Sequence, residues 1–248
     1  MNKRFADKVV LVTGAGRGMG AATAHRLAAD GATVAVVDRD ADVAEAVADA
    51  IGADGGRAVA MTVDISIPAQ VETMVNEIVA RHGALHYAVN NAGVSSRACF
   101  LAEQTLEEWD RMIAINLSGV FYCMKYEIPA IIASGGGAIV NVSSIFGNRG
   151  QTSYGPYCAA KHGVIGLSRT AGLEYIKQGV RVNAFCPGMY DTPMGNSGGD
   201  HSDAIAKMIP LGRMGRPEEA AAVMSFLLSD EAGFVNASDW AADAGMFH

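Results

Sequence analysis

Tyr157 and Lys161 stand four residues apart at the start of a stretch with helical periodicity, 156–177, so they share one face within mutual reach. A phenol with an ordinary pKa near 10 is a poor base at neutral pH. An ammonium beside it and a helix N-terminus, which Pro156 marks, would both favour the phenolate. Such a pair offers proton transfer to or from a hydroxyl. A serine could hold the reacting oxygen, and Ser143 and Ser144 close a valine-rich run shortly before, pointing to opposite sides of it. Tyr154 is close by, but its i+4 partner is the uncharged Cys158, so it reads as a pocket wall. A YxxxK pair can also arise by chance on a surface, and its weight depends on what surrounds it.

The surroundings are regular. Short β-branched runs recur as KVVLVT (8–13), TVAVVD (33–38), RAVAMTVD (57–64), LHYAVN (85–90), AIVNVS (138–143) and VRVNAFC (180–186). They are apolar nearly throughout rather than alternating, which predicts a parallel sheet covered on both faces. Between them, 20–30, 41–51, 68–82, 105–133, 156–177 and 217–229 carry helical periodicity, with Pro68, Pro156 and Pro217 near their starts. The alternation predicts one α/β domain over 1–248, a doubly wound parallel sheet with helices on both faces. Residues 188–210, which include GNSGGDHSD, are too polar and glycine-rich for a core element and read as a mobile substrate loop or lid.

Directly after the first strand comes Thr13-Gly14-Ala15-Gly16-Arg17-Gly18-Met19-Gly20, and a helix follows. Glycines there permit a tight turn and close approach of a pyrophosphate, whose charge a helix N-terminus stabilises. A merely flexible turn would use the same glycines, but the strand before and the helix after favour a phosphate site. Asp38 ends the second strand about 20 residues beyond the turn, where a carboxylate accepts hydrogen bonds from ribose hydroxyls. A dinucleotide is expected, and NAD rather than NADP, because a 2′-phosphate would face that carboxylate. Arg17 and Arg39 stand against the last point, since either could pair with a phosphate if it turned inward.

The spacing TGxxxGxG carried by Thr13, Gly14, Gly18 and Gly20 resembles the short-chain dehydrogenase/reductase family. The likeness continues through Asn90-Asn91-Ala92-Gly93, Asn116, Ser144, Tyr157-x-x-x-Lys161 and Pro187-Gly188, and so spans nearly the whole chain. It implies a Rossmann-like fold and hydride exchange between a secondary alcohol and its ketone, and CMKYEI (123–128) and AAKHGVIGL (159–167) resemble members that oxidise cyclic alcohols or dihydrodiols. It selects Ser144 over Ser143 as the group that bonds the substrate oxygen and makes Tyr157 the general acid/base. It also implies that Lys161 holds the nicotinamide ribose and that Asn116 helps hold a proton-relaying water. Around the cofactor it places Gly14, Arg17, Gly18, Met19 and Gly20 at the pyrophosphate turn and Asp64 with Ile65 about adenine. Asn91, Tyr190 and Thr192 then lie near the ribose and the carboxamide. Asn116 as an ordinary helix asparagine, and Asp64 as a plain helix-leading turn residue, are the structural alternatives. The resemblance further implies a homotetramer joined through 105–133, 156–177 and the C-terminal segment. Two departures stand out: His86 where an aspartate is common, read as a strand-edge residue, and ADAG near the C-terminus in place of VDGG, read as a change in a subunit contact or pocket rim.

A formal charge of −7 argues against a nucleic-acid partner and for a small-molecule one. Cys99, Cys123, Cys158 and Cys186 have neither CxxC spacing nor the density of a disulfide scaffold, so reduced thiols and no metal site are expected. No apolar run reaches the length of a membrane span, and the N-terminus lacks a secretory pattern, so a cytoplasmic location is expected. The expected pocket draws on 94–100, 145–154 and 188–210, with Phe146, Tyr154, Met189, Met194 and Met208 beside Arg97, Arg149 and His201. The rival functions are an NADP-dependent ketone or 3-oxoacyl-thioester reductase and a non-catalytic dinucleotide-binding regulator.

Overall fold

The computed structural model describes residues 3–196 and 202–246. Its sheet contains β1 (Val9–Thr13), β2 (Thr33–Asp38), β3 (Arg57–Thr62), β4 (Tyr87–Asn90), β5 (Gly137–Val142), β6 (Val180–Pro187) and β7 (Asp239–Ala242). All pairings are parallel, in the order β3-β2-β1-β4-β5-β6-β7. The six expected strands are present. β7 was not expected: DWAA lacks a β-branched run, and the strand exists because Asp239–Ala242 pairs with Ala184–Pro187 at the sheet edge.

The apolar runs have the two-sided burial that a covered parallel sheet requires. Val10, Val12, Val34 and Val36 pack on one face with Leu27 and Ala24 of α1 (Gly18–Ala29), Ala44 and Ile51 of α2 (Ala41–Ala53), and Met224 and Leu227 of α8 (Pro217–Leu228). Their neighbours Leu11, Ala35 and Val37 face the other way. There they meet Met74 and Ile78 of α3 (Pro68–His82), Ile128 and Ile131 of α5 (Gly119–Ala133), and Val164 of α6 (Gly155–Tyr175). Pro68, Pro156 and Pro217 occupy first-turn positions, and Gly83, at φ 79°, closes α3 in the left-handed region.

Two stretches differ from expectation. The helix expected over 105–133 is interrupted: α4 (Leu106–Ile113) gives way to a π turn, Ala114–Ser118, before α5 begins. The segment expected as a loop over 188–210 carries α7 (Ser202–Met208), while 197–201, including His201, lie outside the described residues. Strand order reverses between β1 and β4, and the connections diverge there to leave a crevice at the carboxyl ends of the strands.

Candidate active site

At the β1 end of the crevice the backbone itself makes the cradle. Gly14 and Gly18 turn at φ 60° and 57°, which glycine adopts without strain. Gly20 lets α1 close on the turn, because a Cβ there would lie 2.1 Å from the Gly14 carbonyl oxygen. Arg17, at the helix N-cap, makes no side-chain bond to the first turn, whose N–H groups are left for an acceptor from outside. Asn91 Nδ2 donates to the Thr13 and Gly14 carbonyls at 3.0 Å, and Thr13 Oγ1 accepts from the N–H groups of Asn91 and Ala92. Asp38 is fixed at both oxygens: Oδ2 accepts from Gly16 N at 3.0 Å and Oδ1 from Asp40 N at 3.2 Å. Arg17 is turned out to Asp40, at 2.8 Å. Asp64 Oδ1 accepts from the N–H and hydroxyl of Ser66, and Ile65 is buried beside Gly119. These glycine turns, open amides and a positioned carboxylate fit a dinucleotide.

At the β5 end the groups are side chains. Ser144 caps a short 3-10 turn, accepting from Phe146 N at 3.1 Å, and its hydroxyl bonds the Tyr157 phenol from the first turn of α6. Ser143 is committed elsewhere, donating to the Lys161 carbonyl at 2.8 Å. Lys161 is buried, with Nζ donating to the Val142 carbonyl at 2.8 Å and lying 5.7 Å from the centre of the Tyr157 ring. Burial pulls its pKa down to about 8. The expectation of a lowered tyrosine is corrected: burial pushes Tyr157 up to about 12, outweighing the opposing hydrogen bond with Ser144. Tyr157 is therefore a neutral phenol at pH 7 in this arrangement.

A cleft of about 660 Å³ joins the two ends. Gly14, Arg17, Gly18, Met19, Asp38, Asp64, Ile65, Asn91, Ser144, Tyr157, Lys161, Tyr190 and Thr192 all line it. Gly20 and Asn116 stand behind the wall. Both ends of the Asn116 amide clamp the Val94 backbone, at 2.8 and 2.9 Å, and Nδ2 also meets Met112 Sδ. The amide thus ties the π turn to the Val94 backbone. Tyr190 meets the cleft, and its hydroxyl donates to the Ala242 carbonyl. Thr192 sits over the turn, its Cγ2 3.2 Å from where a Gly18 Cβ would be. Phe146, Tyr154, Met189 and Met194 line the cleft as expected, whereas Met208, Arg97 and Arg149 do not. His86 is a strand-edge residue whose Nδ1 accepts from Val9 N, and burial lowers its pKa.

Residues 14–247 match the family model described as enoyl-(acyl carrier protein) reductase. Cyclohexanol dehydrogenase of Acinetobacter sp. (strain SE19) is 45% identical over 98% of this chain and 96% of its own length. Meso-2,3-butanediol dehydrogenase of Serratia marcescens is 39% identical over 98% and 95%. The crystal structure of levodione reductase superposes with a TM-score of 0.93 at 38% identity, covering 98% of each chain. The chain belongs to the short-chain dehydrogenase/reductase family. It is an oxidoreductase acting on CH–OH groups.

Within this short-chain dehydrogenase/reductase, sequence reading overlooked three contributors to the site. Gly93 lies against the centre: a Cβ there would stand 2.8 Å from Asn116 Oδ1 and 3.5 Å from Lys161 Nζ. Its place in the NNAG run was the available signal. Asp40 holds Arg17 outward, a pairing across 23 positions that no local pattern announces. Ile205 of α7 reaches the cleft from a segment whose composition suggested a loop.

Proposed function

We propose that the protein oxidises a neutral, ring-bearing secondary alcohol to its ketone with NAD as cofactor. The observation that carries this reading is the Ser144–Tyr157 hydroxyl pair opening onto an apolar wall of Ile145, Phe146, Tyr154, Met189 and Met194. The charged residues described in the cleft wall, apart from Lys161, belong to the Asp38 and Asp64 end. Among the described residues the cation near that apolar wall is Lys161, whose Nζ is engaged at the Val142 carbonyl, so a carboxylated or phosphorylated substrate would gain little there. Relatives named for cyclohexanol and for levodione support a cyclic substrate.

In this reading Ser144 Oγ holds the substrate oxygen, and Tyr157, having given its own phenolic proton to solvent, takes the substrate hydroxyl proton at Oη as the C–H hydride departs; in reduction the neutral phenol gives its proton to the ketone oxygen as hydride arrives. Nicotinamide, when bound, supplies the hydride acceptor or donor. Lys161 acts from below the phenol, close enough to stabilise a phenolate as it forms. Asn116 fixes the Val94 rim. NAD is favoured because Asp38 is tethered at both oxygens and Arg17 is occupied by Asp40. One catalytic domain, a homotetramer and a cytoplasmic location complete the reading. Exposed Trp109, Phe121 and Leu173 on α4, α5 and α6 support the assembly, and free cysteines support the location.

A spectrophotometric panel of cyclohexanol, cyclic diols, 2,3-butanediol, sugars and 3-hydroxyacyl thioesters, each with NAD and NADP, tests it. Cyclohexanol or a cyclic diol with NAD is expected to give the highest kcat/KM. Preference for the thioester with NADP, or no turnover of anything, would overturn the reading.

A further inference from the structure

Below the catalytic pair lies a carboxyl that the mechanism does not use. Glu127 of α5 has no solvent exposure, and the hydrogen bond recorded at its carboxyl is the one Asn90 Nδ2 gives to Oε2 at 2.9 Å. Oε1 has no partner, and neither does Oδ1 of Asn90, although both atoms are buried. Two buried acceptors without a donor would be costly. They belong to two residues already bonded to each other, and one proton on Glu127 provides the missing donor: an acid and an amide can exchange two hydrogen bonds, N–H to carbonyl and O–H to amide oxygen.

The pair is built into the elements that carry the site. Asn90 ends β4, directly before Asn91, which grips the phosphate turn. Its second Nδ2 bond goes to Asn141 Oδ1 of β5 at 2.9 Å, and Asn141 donates onward to Ser168 Oγ of α6 at 2.9 Å. Asn141 precedes Val142, whose carbonyl holds Lys161 Nζ, and Ser143, whose hydroxyl holds the Lys161 carbonyl. A chain of buried polar side chains therefore links α5, β4, β5 and α6 beneath Ser144, Tyr157 and Lys161. We infer that Glu127 is held as a neutral carboxylic acid joined to Asn90, and that this pair is a positioning device for the strand ends and helix bearing the catalytic groups.

The titratable surroundings agree. Cys123, one turn back on α5, is fully buried, and burial pushes its thiol up, so it is neutral beside Glu127. From α3, Glu72 bonds Tyr126, the neighbour of Glu127. From α6, Lys161 is engaged at Val142. β4, β5 and β6 present Asn90, Asn141 and Asn183, all uncharged. With no cation bonded to it, burial raises the Glu127 carboxyl to about 8, the bond from Asn90 opposing.

The test compares wild type with Glu127→Gln and Glu127→Ala. Infrared spectra of wild type at pH 6 should show a protonated-carboxyl C=O band that Gln removes and that fades as pH rises through about 8. The melting temperature of wild type should fall relative to Gln between pH 5 and 8, because the folded state keeps a proton that the unfolded chain has lost. With cyclohexanol as probe, Ala should lower kcat about tenfold or more with KM changed less, and Gln, which keeps a donor and an acceptor, should restore most of it. Absence of the band at pH 6, or a melting difference that does not change with pH, overturns the neutral acid. Equal kcat in Ala and wild type overturns the positioning role. The inference uses the assigned reaction only in that last arm. If cyclohexanol is not turned over by wild type, the proposed substrate fails while the two spectroscopic arms still decide the state of Glu127.

Discussion

Replacing Asp38 with alanine should reverse much of the preference between the two dinucleotides, and the size of the effect follows from how the carboxylate is held. Its oxygens accept from Gly16 N and Asp40 N, so it cannot swing away from an incoming phosphate. Two unit charges about 5 Å apart at an effective dielectric constant near 20 repel by roughly 3 kcal/mol. Partial exposure and salt reduce this to about 1–2 kcal/mol, so NADP should improve roughly 5- to 30-fold. NAD should weaken over a similar range, because the ribose loses an acceptor and Gly16 loses its tether, each worth about 1 kcal/mol. The ratio of kcat/KM values should therefore move by about two orders of magnitude towards NADP. Asp38→Asn separates charge from hydrogen bonding: it keeps one acceptor, so it should gain the NADP improvement while retaining more NAD affinity. Dissociation constants for NADH and NADPH from fluorescence, with kcat/KM for both oxidised cofactors, provide the assay. A ratio unchanged within twofold in both variants would remove Asp38 as the determinant of selectivity.

Tyr157→Phe should lower kcat by about 10²- to 10⁴-fold while leaving NADH dissociation within a few-fold, since it deletes the proposed proton carrier and leaves the glycine turn intact; stopped-flow hydride transfer and fluorescence titration check both halves. Lys161→Met should abolish useful turnover yet raise the melting temperature at pH 7. Burial holds the folded pKa near 8 against 10.5 unfolded, so the lysine opposes folding below pH 8 and progressively less up to 10.5. Scanning calorimetry should show that gain shrinking across the same window, and a pH-independent difference would refute the cause. Ala244→Gly should stabilise by about 0.5 kcal/mol, because a left-handed alanine costs about 1–2 kcal/mol and glycine returns about 0.5–1 through the unfolded chain. Ala244 sits at φ 54° beside Gly245 at 78°, closed by a bond from Met246 N to the Asp243 carbonyl. A thermal melt should move up by about 1–2 °C.

The scaffold was legible because burial leaves a mark on composition. β1 is covered on both faces and flanked by strands, so VVLVT needs no polar alternation. β7 escaped notice for the opposite reason: an edge strand of four residues half open to solvent has no pattern to enforce, and only the neighbouring β6 makes it a strand. The π turn at Asn116 was equally silent, since one extra residue in a turn alters no hydrophobic spacing strongly enough to register. The glycines of the phosphate turn were readable as a set because each answers a steric demand. What the charged groups do was less readable. Spacing placed Lys161 near Tyr157, but it could not give the burial that raises one pKa and lowers the other. Nor could it show that Arg17 would turn to Asp40.

The two ends of the cleft depend on different materials, and this bears on how the site tolerates change. The cofactor end is mostly backbone, held by glycine contacts and by Asn91 and Thr13 reaching across from neighbouring strands. Substitution there fails sterically: any Cβ at Gly20 meets the Gly14 carbonyl. The chemical end is made of polar side chains withdrawn from water, where Lys161 carries a desolvation cost that its bond to Val142 offsets only in part. Such a group fits the proposed reaction, and it stays in register only if the strands and helix around it are fixed by other means. β4, β5 and α6 have that means in the Asn90–Asn141–Ser168 chain. Buried and hydrogen-bonded across three elements, these side chains constrain the relative slide of the strands more tightly than apolar contacts, which tolerate small shifts. On the inference drawn above, the polar layer under the site trades some stability for a fixed distance between Ser144, Tyr157 and Lys161, on which the proposed proton transfer would depend steeply.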